Sequence, residues 1–446
     1  MMAGGTWKAQ NKVRPGVYIN VKGNGKPTLT SAIGRLLMFQ NKPLGWGKNG
    51  VITLDNNSDF EAETGHKLSD PIMAPVKEAL KGAETVLLVN TTQGGVKAKA
   101  TGDELPVEIM AKYEGTVGNN IKVSIDPAAD NSSLTVTTIF GTKMVDQQKV
   151  ASIEDVEDNY YVTFKQLATK KDIVGSNTFT LTGGTDGTNN VVDKMNEALE
   201  SEYYTVATTA GWDEESNIHQ LFAEQIKRLR ENIGIKVRGV VPNSKDMAYN
   251  YEGLSGVKNG YVLNTGEVID VPTATARFAG MSASADAATA LTYKDIDDAI
   301  DSKPRLNNDE TVNALTAGEI VFTTRSHNRV VIEQDLDTLT KFNADKPKSF
   351  SKNKIIRVLD EICINTQQVF ESSFLGRVPN NDNGRGLFKA DRTSYLEKLQ
   401  SQNIIQNFEP GDLEILPGND SDAVVMNLAV QPVDAMEKLY VTITVR

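Results

Sequence analysis

Strand–helix–strand alternation runs along most of this 446-residue chain, but it stops at Gly94-Gly95 and resumes at about residue 187. Between them the apolar residues fall only in short alternating runs: 107–110, 121–125, 134–139, 160–164 and 178–182, parted by turn residues. Such spacing predicts a β-sandwich or barrel. On either side the pattern is different. Thr85–Asn90 reads as a buried strand after a helix that Ser69-Asp70-Pro71 opens and Gly82 ends. Downstream, Val191, Val192, Met195 and Leu199 share a helical face, and 205–208 reads as a strand. Ile218 to Ile233 is a long amphipathic helix stopped by Gly234, and 235–241 is a further strand. Alternation of this kind predicts a parallel sheet with helices packed on it. The fold class is therefore mixed α/β: an α/β core, 23–94 and 187–343, interrupted by an inserted β-sandwich domain at 95–186. The abrupt change of texture predicts an outward-facing insertion that the core can fold without.

Residues 344–446 form a further α+β unit. A long helix covers 353–374 and Gly376 ends it; an Asn/Gly/Pro-rich loop follows over 377–386, then a helix over about 388–402 and strands at 413–416 and 423–430. Both chain ends are short alternating segments. Val17, Ile19 and Val21 oppose Tyr18 near the start, and Leu439, Val441, Ile443 and Val445 alternate with polar residues at the finish. The first, within an arm of residues 1–22, has no hairpin partner nearby. It is expected to pair far away in sequence or in another chain. The second, within a terminal arm 435–446, reads as a last strand.

The chemistry-bearing residues are sparse. One cysteine, Cys363, excludes an intrachain disulfide and four-cysteine zinc sites. It lies among apolar neighbours and reads as a buried thiol. The three histidines, His66, His219 and His327, stand far apart; His219 reads as a surface residue of its helix. No G-x-S-x-G elbow or phosphate loop is present, and Gly183 to Gly187 reads as a tight link between domains. Asp295, Asp297 and Asp298 lack the rest of a calcium loop and read as the acidic first turn of a helix. No catalytic residue, metal or cofactor is expected, and the chain is not read as an enzyme. A net charge of −11 argues against nucleic acid or an anionic membrane as direct partner. No apolar run has the length of a membrane helix, and the first 15 residues lack a signal-peptide core. Within the last unit, 345–400 carries ten basic against seven acidic residues, and 401–446 two against seven. A basic half beside an acidic half suits a subunit that meets charged partners.

Several segments resemble the sheath proteins of contractile phage tails and of phage-tail-like bacteriocins, especially the Gram-positive type. They are Val331–Thr340, Phe350–Asp360, Phe374–Asn380, Asn383–Phe388, Tyr395–Gln400, Ile405–Phe408, Arg14–Ile19 and Leu181–Gly187. Their order along one chain carries the resemblance. It implies a subtilisin-like, non-catalytic α/β core, and a homo-oligomer of six-fold rings stacked helically around a tail tube. The terminal arms would exchange strands between subunits through Val17, Tyr18, Ile19, Val21, Leu439, Val441, Ile443 and Val445. The C-terminal domain would face the tube, with Arg377, Arg385 and Lys389 as contacts. It further implies contraction that drives the tube through a cell envelope, baseplate and tail terminator proteins as partners, and a place in a virion or phage-tail-like particle assembled in the bacterial cytoplasm. The competing readings are an α/β hydrolase with a β-sandwich accessory domain and a β-sandwich binding module.

Overall fold

A computed structural model describes residues 33–101, 105–130, 132–167, 175–242 and 249–445, and the backbone of two short strands upstream. Those two, Ala3–Gly5 and Gly16–Tyr18, pair in parallel, with Gly4 opposite Val17. This corrects the expectation that the first segment has no partner close by in its own chain. The side chains of Val17 and Tyr18, and the whole of Ile19 and Val21, lie outside the described residues.

The unit Ile33–Arg446 is built on a seven-stranded sheet. Its order is Glu319–Ile320, Leu254–Val257, Arg238–Pro242, Val206–Thr208, Arg35–Phe39, Thr85–Asn90, Gly50–Leu54. Every neighbouring pair is parallel except the last, where Gly50–Leu54 runs against Thr85–Asn90. Strand alternation divides the apolar side chains between two layers. Leu36, Met38, Val86 and Leu88 meet the helices Ala74–Leu80 and Val271–Ser284. Leu37, Phe39, Leu87 and Val89 meet Val191–Ser201 and Ile218–Arg228. The latter helix widens into a π turn, Leu229–Ile233, and stops at Gly234, whose φ of 89° suits glycine.

The insertion is one seven-stranded sheet bent around a single core. Asn177–Thr182 is its pivot: its first half pairs with Ile121–Pro127 and its end with Lys97–Ala100. Ile109, Val123, Ile125, Val136, Val162 and Leu181 fill the space between the two halves. Two strands, Lys97–Ala100 and Lys143–Val150, were absent from the sequence reading. Both are rich in lysine and polar residues, so apolar alternation does not mark them.

The insertion shares packed residues with the α/β core. Trp46, from the loop after the first core strand, is 1% exposed and belongs to the insertion's apolar core together with Ala62. Its indole N–H donates to the Ala62 carbonyl at 2.9 Å, and its ring meets Tyr113 edge-on at 5.2 Å. The Val117 amide donates to the Gly45 carbonyl at 3.0 Å. Gly115, at φ 124°, comes so close to that loop that a Cβ would stand 2.1 Å from the Gly45 oxygen. The Gly183–Gly187 link does close the insertion: Thr185 bridges Val96, and Asp186 accepts the Thr116 amide at 2.8 Å.

The last unit packs the helices Asn353–Val369 and Asp382–Ser401 over the hairpin Leu413–Pro417/Val424–Leu428, with Val358, Ile362, Leu396, Leu399 and Phe408 between. The long helix is fastened to the α/β core by buried polar groups. Arg230 makes a bidentate pair with Asp360, both bonds 2.8 Å, and Asn353 donates to Asp335 and to the Leu336 carbonyl. The second helix starts at Asp382, earlier than expected: Asn381 caps it by accepting the Gly384 amide at 2.9 Å. Gly384 itself is required there, since a Cβ would stand 2.1 Å from the Pro379 oxygen. The acidic run near 295 opens no helix; Asp295 bridges Val331 and Asp298 binds Arg277 and Lys81. Cys363 is exposed rather than buried, because it lies on the outer side of its helix.

Candidate assembly surface

The C-terminal tail is the most unusual surface of the described residues. Gln431–Pro432 pairs with Ile405–Gln406, and the Val433 amide bonds the Ile404 carbonyl; no residue from 433 to 445 lies in a sheet. The alternating segment 439–445 is thus unpaired within its own subunit. Its residues have the alternation of a strand, but the unit offers them no partner strand. Two acidic residues hold the tail's root to Lys352, Asp434 at 3.8 Å and, more closely, Glu437. Glu437 bonds Lys352, accepts from Thr292 Oγ1 at 2.8 Å and from Gln334 Nε2 at 2.6 Å. Burial alone would raise its pKa, but these bonds outweigh it and hold the carboxyl below its ordinary value. A depressed carboxylate stabilises its site above its unfolded pKa and loses that as pH falls through the folded value. The tail root is therefore expected to loosen only on acidification into and below the ordinary carboxylate range, read as increased proteolysis after Lys438.

Beyond Glu437 the chain is free. Leu439, Val441, Ile443 and Val445 are 87%, 66%, 84% and 91% exposed, and make no hydrogen bond to described residues. A run of large apolar side chains with this exposure is costly in water unless something covers it. Beside it, the hairpin Leu413–Pro417/Val424–Leu428 is only two strands wide, so both of its outer edges are open.

The three basic candidates gather at one end of the helical pair. Arg377 is in the turn between the helices and exposed; Arg385 and Lys389 are on the second helix, half-buried. They differ in freedom. Arg385 donates to Asn380 Oδ1 at 2.8 Å and pairs with Asp382. Arg377 and Lys389 make no ion pair among the described residues. Next to them Phe374 and Phe388 meet at 4.9 Å with Phe370 against both, while Leu375 and Leu387 are 60% and 57% exposed. Sequence reasoning chose the cations by charge and put Phe370 and Phe374 on one helical face, but missed that Phe388 of the next helix completes an apolar tip with them.

Two of the histidines are committed to neighbouring protein groups, and His327 lies exposed in the short helical turn Ser326–Asn328. His219 is buried, not at the surface as expected: the helix that carries it turns it inward. Its Nδ1 is 2.6 Å from Thr209 Oγ1 and its Nε2 is 2.8 Å from the Asp213 carbonyl, and burial lowers its pKa. Thr209 is equally buried, so this pair meets no substrate in the folded state. His66 Nε2 is spent on the Leu44 carbonyl. Among the described residues no group of acidic, histidine or cysteine side chains could hold a metal ion.

Comparison with known proteins gives three family matches along the chain: the phage tail sheath protein beta-sandwich domain over 90–188, the phage tail sheath protein central domain over 185–338, and the phage tail sheath C-terminal domain over 345–446. The chain is 33% identical to the phage-like element PBSX protein XkdK of Bacillus subtilis, across the whole of both chains. It is 34% identical to a sheath tail protein of Desulfitobacterium hafniense, whose crystal structure superposes with a TM-score of 0.78 over 96% of this chain and 99% of the other. At 12% identity and a TM-score of 0.55 it also has the fold of the PVC sheath complex of an extracellular contractile injection system in its contracted state, over 98% of each chain.

Proposed function

The chain belongs to the phage tail sheath family, and from that premise we propose that it polymerises as stacked six-membered rings around a tail tube and contracts to drive that tube through a cell envelope. The observation that carries this reading is the tail Leu439–Val445, apolar, exposed, and anchored only at its root. Laid along an open edge of another subunit's 413–428 hairpin, it would gain main-chain hydrogen bonds and bury alternate side chains. The N-terminal arm, with Val17, Tyr18, Ile19 and Val21, would add to the same mesh. The subtilisin-like reading of the core comes from the family resemblance, a mostly parallel sheet with helices on both faces agrees with it, and it is carried as fold without activity. The division into 1–22, 23–94, 95–186, 187–343 and 344–446 remains the proposed domain organisation, with the Trp46 loop crossing one of its borders.

In this mechanism the extended sheath is metastable. Subunit contacts not yet made store the free energy, and the arms keep neighbours joined while each ring rotates. A standard protein interface buries about 1,600 Å², so a modest gain per subunit becomes large over many rings. A kinetic barrier sets the lifetime of the extended form. Baseplate and terminator proteins would nucleate and end the polymer, in a virion or phage-tail-like particle assembled in the host cytoplasm. Electron microscopy of the purified chain tests the polymer itself.

The tube contact has its own test. Lys389→Glu is expected to weaken co-sedimentation with tube more than Arg385→Glu, because Arg385 already has Asp382 and Asn380 as partners. Each exposed contact is worth about 1 kcal/mol or less, but it recurs at every subunit, and added salt should imitate the substitution. Unchanged co-sedimentation after both reversals would move the contact elsewhere.

A further inference from the structure

Where the inserted sheet meets the α/β core, the surface opens into a cleft of about 190 Å³. Part of its lining comes from the core: the loop that carries Trp46, and Asn90 at the end of a core strand. The rest comes from the insertion, chiefly the strands Lys97–Ala100 and Val107–Glu114.

The polar groups of this cleft retain bonding capacity. Asn90 is 6% exposed. Its Oδ1 accepts from Thr92 Oγ1 at 2.8 Å, but its Nδ2 has only the Lys48 carbonyl at 3.4 Å, beyond the ordinary range for such a bond. The Tyr113 hydroxyl bonds nothing among the described residues, while its ring is fixed edge-on against Trp46. Lys112 is held by aromatic rings and not by a carboxylate: its Nζ lies 4.9 Å from the centre of the Tyr160 ring and 5.7 Å from that of Tyr113. Lys97 and Glu114 stand opposite each other across the two strands, yet make no ion pair among the described residues. The other acid of the cleft, Asp186, is spent on Thr116.

Charge and size decide which chemistry fits. Two lysines, Lys97 and Lys112, are matched by two carboxylates, Glu114 and Asp186, so the lining carries no net charge and favours neither an anion nor a cation. It does set donors beside acceptors: ammonium and amide N–H groups, a phenol that can do either, and the Glu114 carboxylate. A ligand whose polar groups each donate and accept satisfies such a set, and the hydroxyl is that group. A cavity of about 150 Å³ holds one benzene, so this cleft takes a single six-membered ring with its substituents. The Trp46 and Tyr113 walls would cover the C–H groups of that ring.

We propose that the cleft is a binding site for a neutral pyranose sugar. Asn90 Nδ2, the Tyr113 hydroxyl and Lys112 Nζ would donate to its hydroxyl oxygens, and Glu114 would accept from its hydroxyl groups. A bound sugar would touch both domains and tie the insertion to the core. The site does not depend on how the arms or the tube engage, so the sheath reading and this one can fail separately.

Saturation-transfer NMR on the full chain with glucose tests it. Binding with a Kd of about 1 mM is expected for so small a ligand, and glucuronate should bind no more tightly, because the cleft is neutral. Tyr113→Phe keeps the ring on Trp46 and removes only the hydroxyl; Lys112→Met removes one donor at an exposed position. Each should weaken glucose about 5-fold. Absence of a glucose signal, binding that both substitutions leave unchanged, or tighter binding of glucuronate overturns the proposal. Should either variant fail to fold, crystals of the unaltered chain soaked in glucose decide: a sugar ring between the Trp46 loop and Tyr113 is expected, and an empty cleft overturns the site.

Discussion

Cutting the chain after Glu437 is expected to leave a folded subunit that forms no polymer. Leu439 to Val445 contribute nothing to the fold of their own subunit, being exposed and unbonded, so circular dichroism and Tm should not change. Assembly should suffer out of proportion to the length removed. Each lost main-chain hydrogen bond is worth about 0.5–1.5 kcal/mol, each buried Val, Leu or Ile about 1.5–3 kcal/mol, and every subunit loses all of them at once. Ile443→Pro makes the same point with one residue, by deleting a ladder donor and forcing φ. Sedimentation separates the outcomes. Polymers of normal length from the truncated chain would mean the tail is idle, and an unfolded monomer would mean it belongs to its own subunit's core.

Trp46→Ala is expected to cost about 3–5 kcal/mol, the range for emptying a large aromatic site in a packed core. The loss falls on two domains, since the indole belongs to the core chain by sequence and to the inserted sheet by packing. Replacing 95–186 by a Gly/Ser linker should therefore keep a cooperative transition but lower its midpoint. The linker is geometrically mild, because Thr92–Gln93 and Thr188–Asn189 are already paired across the cut. The deletion nevertheless uncovers Trp46 and Ala62. A midpoint equal to that of the intact chain would show that the indole is not shared, and loss of the transition would show that the core cannot fold without its insertion.

Much of the architecture was legible because period and burial agree. Leu36 to Phe39 and Val86 to Val89 are continuous apolar runs, as buried parallel strands must be, and the helices beside them are amphipathic at 3.6-residue spacing. What escaped had a physical reason in each case. Lys97–Ala100 and Lys143–Val150 carry exposed lysines, so their composition hides them. His219 is buried because the loop that leads into its helix folds over that face, and Thr209 and the Asp213 carbonyl in that loop satisfy both of its ring nitrogens. The tail was read as a strand from its alternation, and the alternation is real; pairing is a property of two segments, and this unit holds only one of them. The buried Arg230–Asp360 pair was invisible for the same reason, since the two are brought together only by the docking of the last unit on the core.

Electron microscopy of the purified, tag-free chain tests the central claim most directly. The account predicts long hollow tubes built of stacked six-fold rings, formed without nucleotide or metal, and absent from the chain cut after Glu437. Compact monomers from the intact chain at every concentration and salt would contradict it, as would tubes that the truncated chain forms equally well.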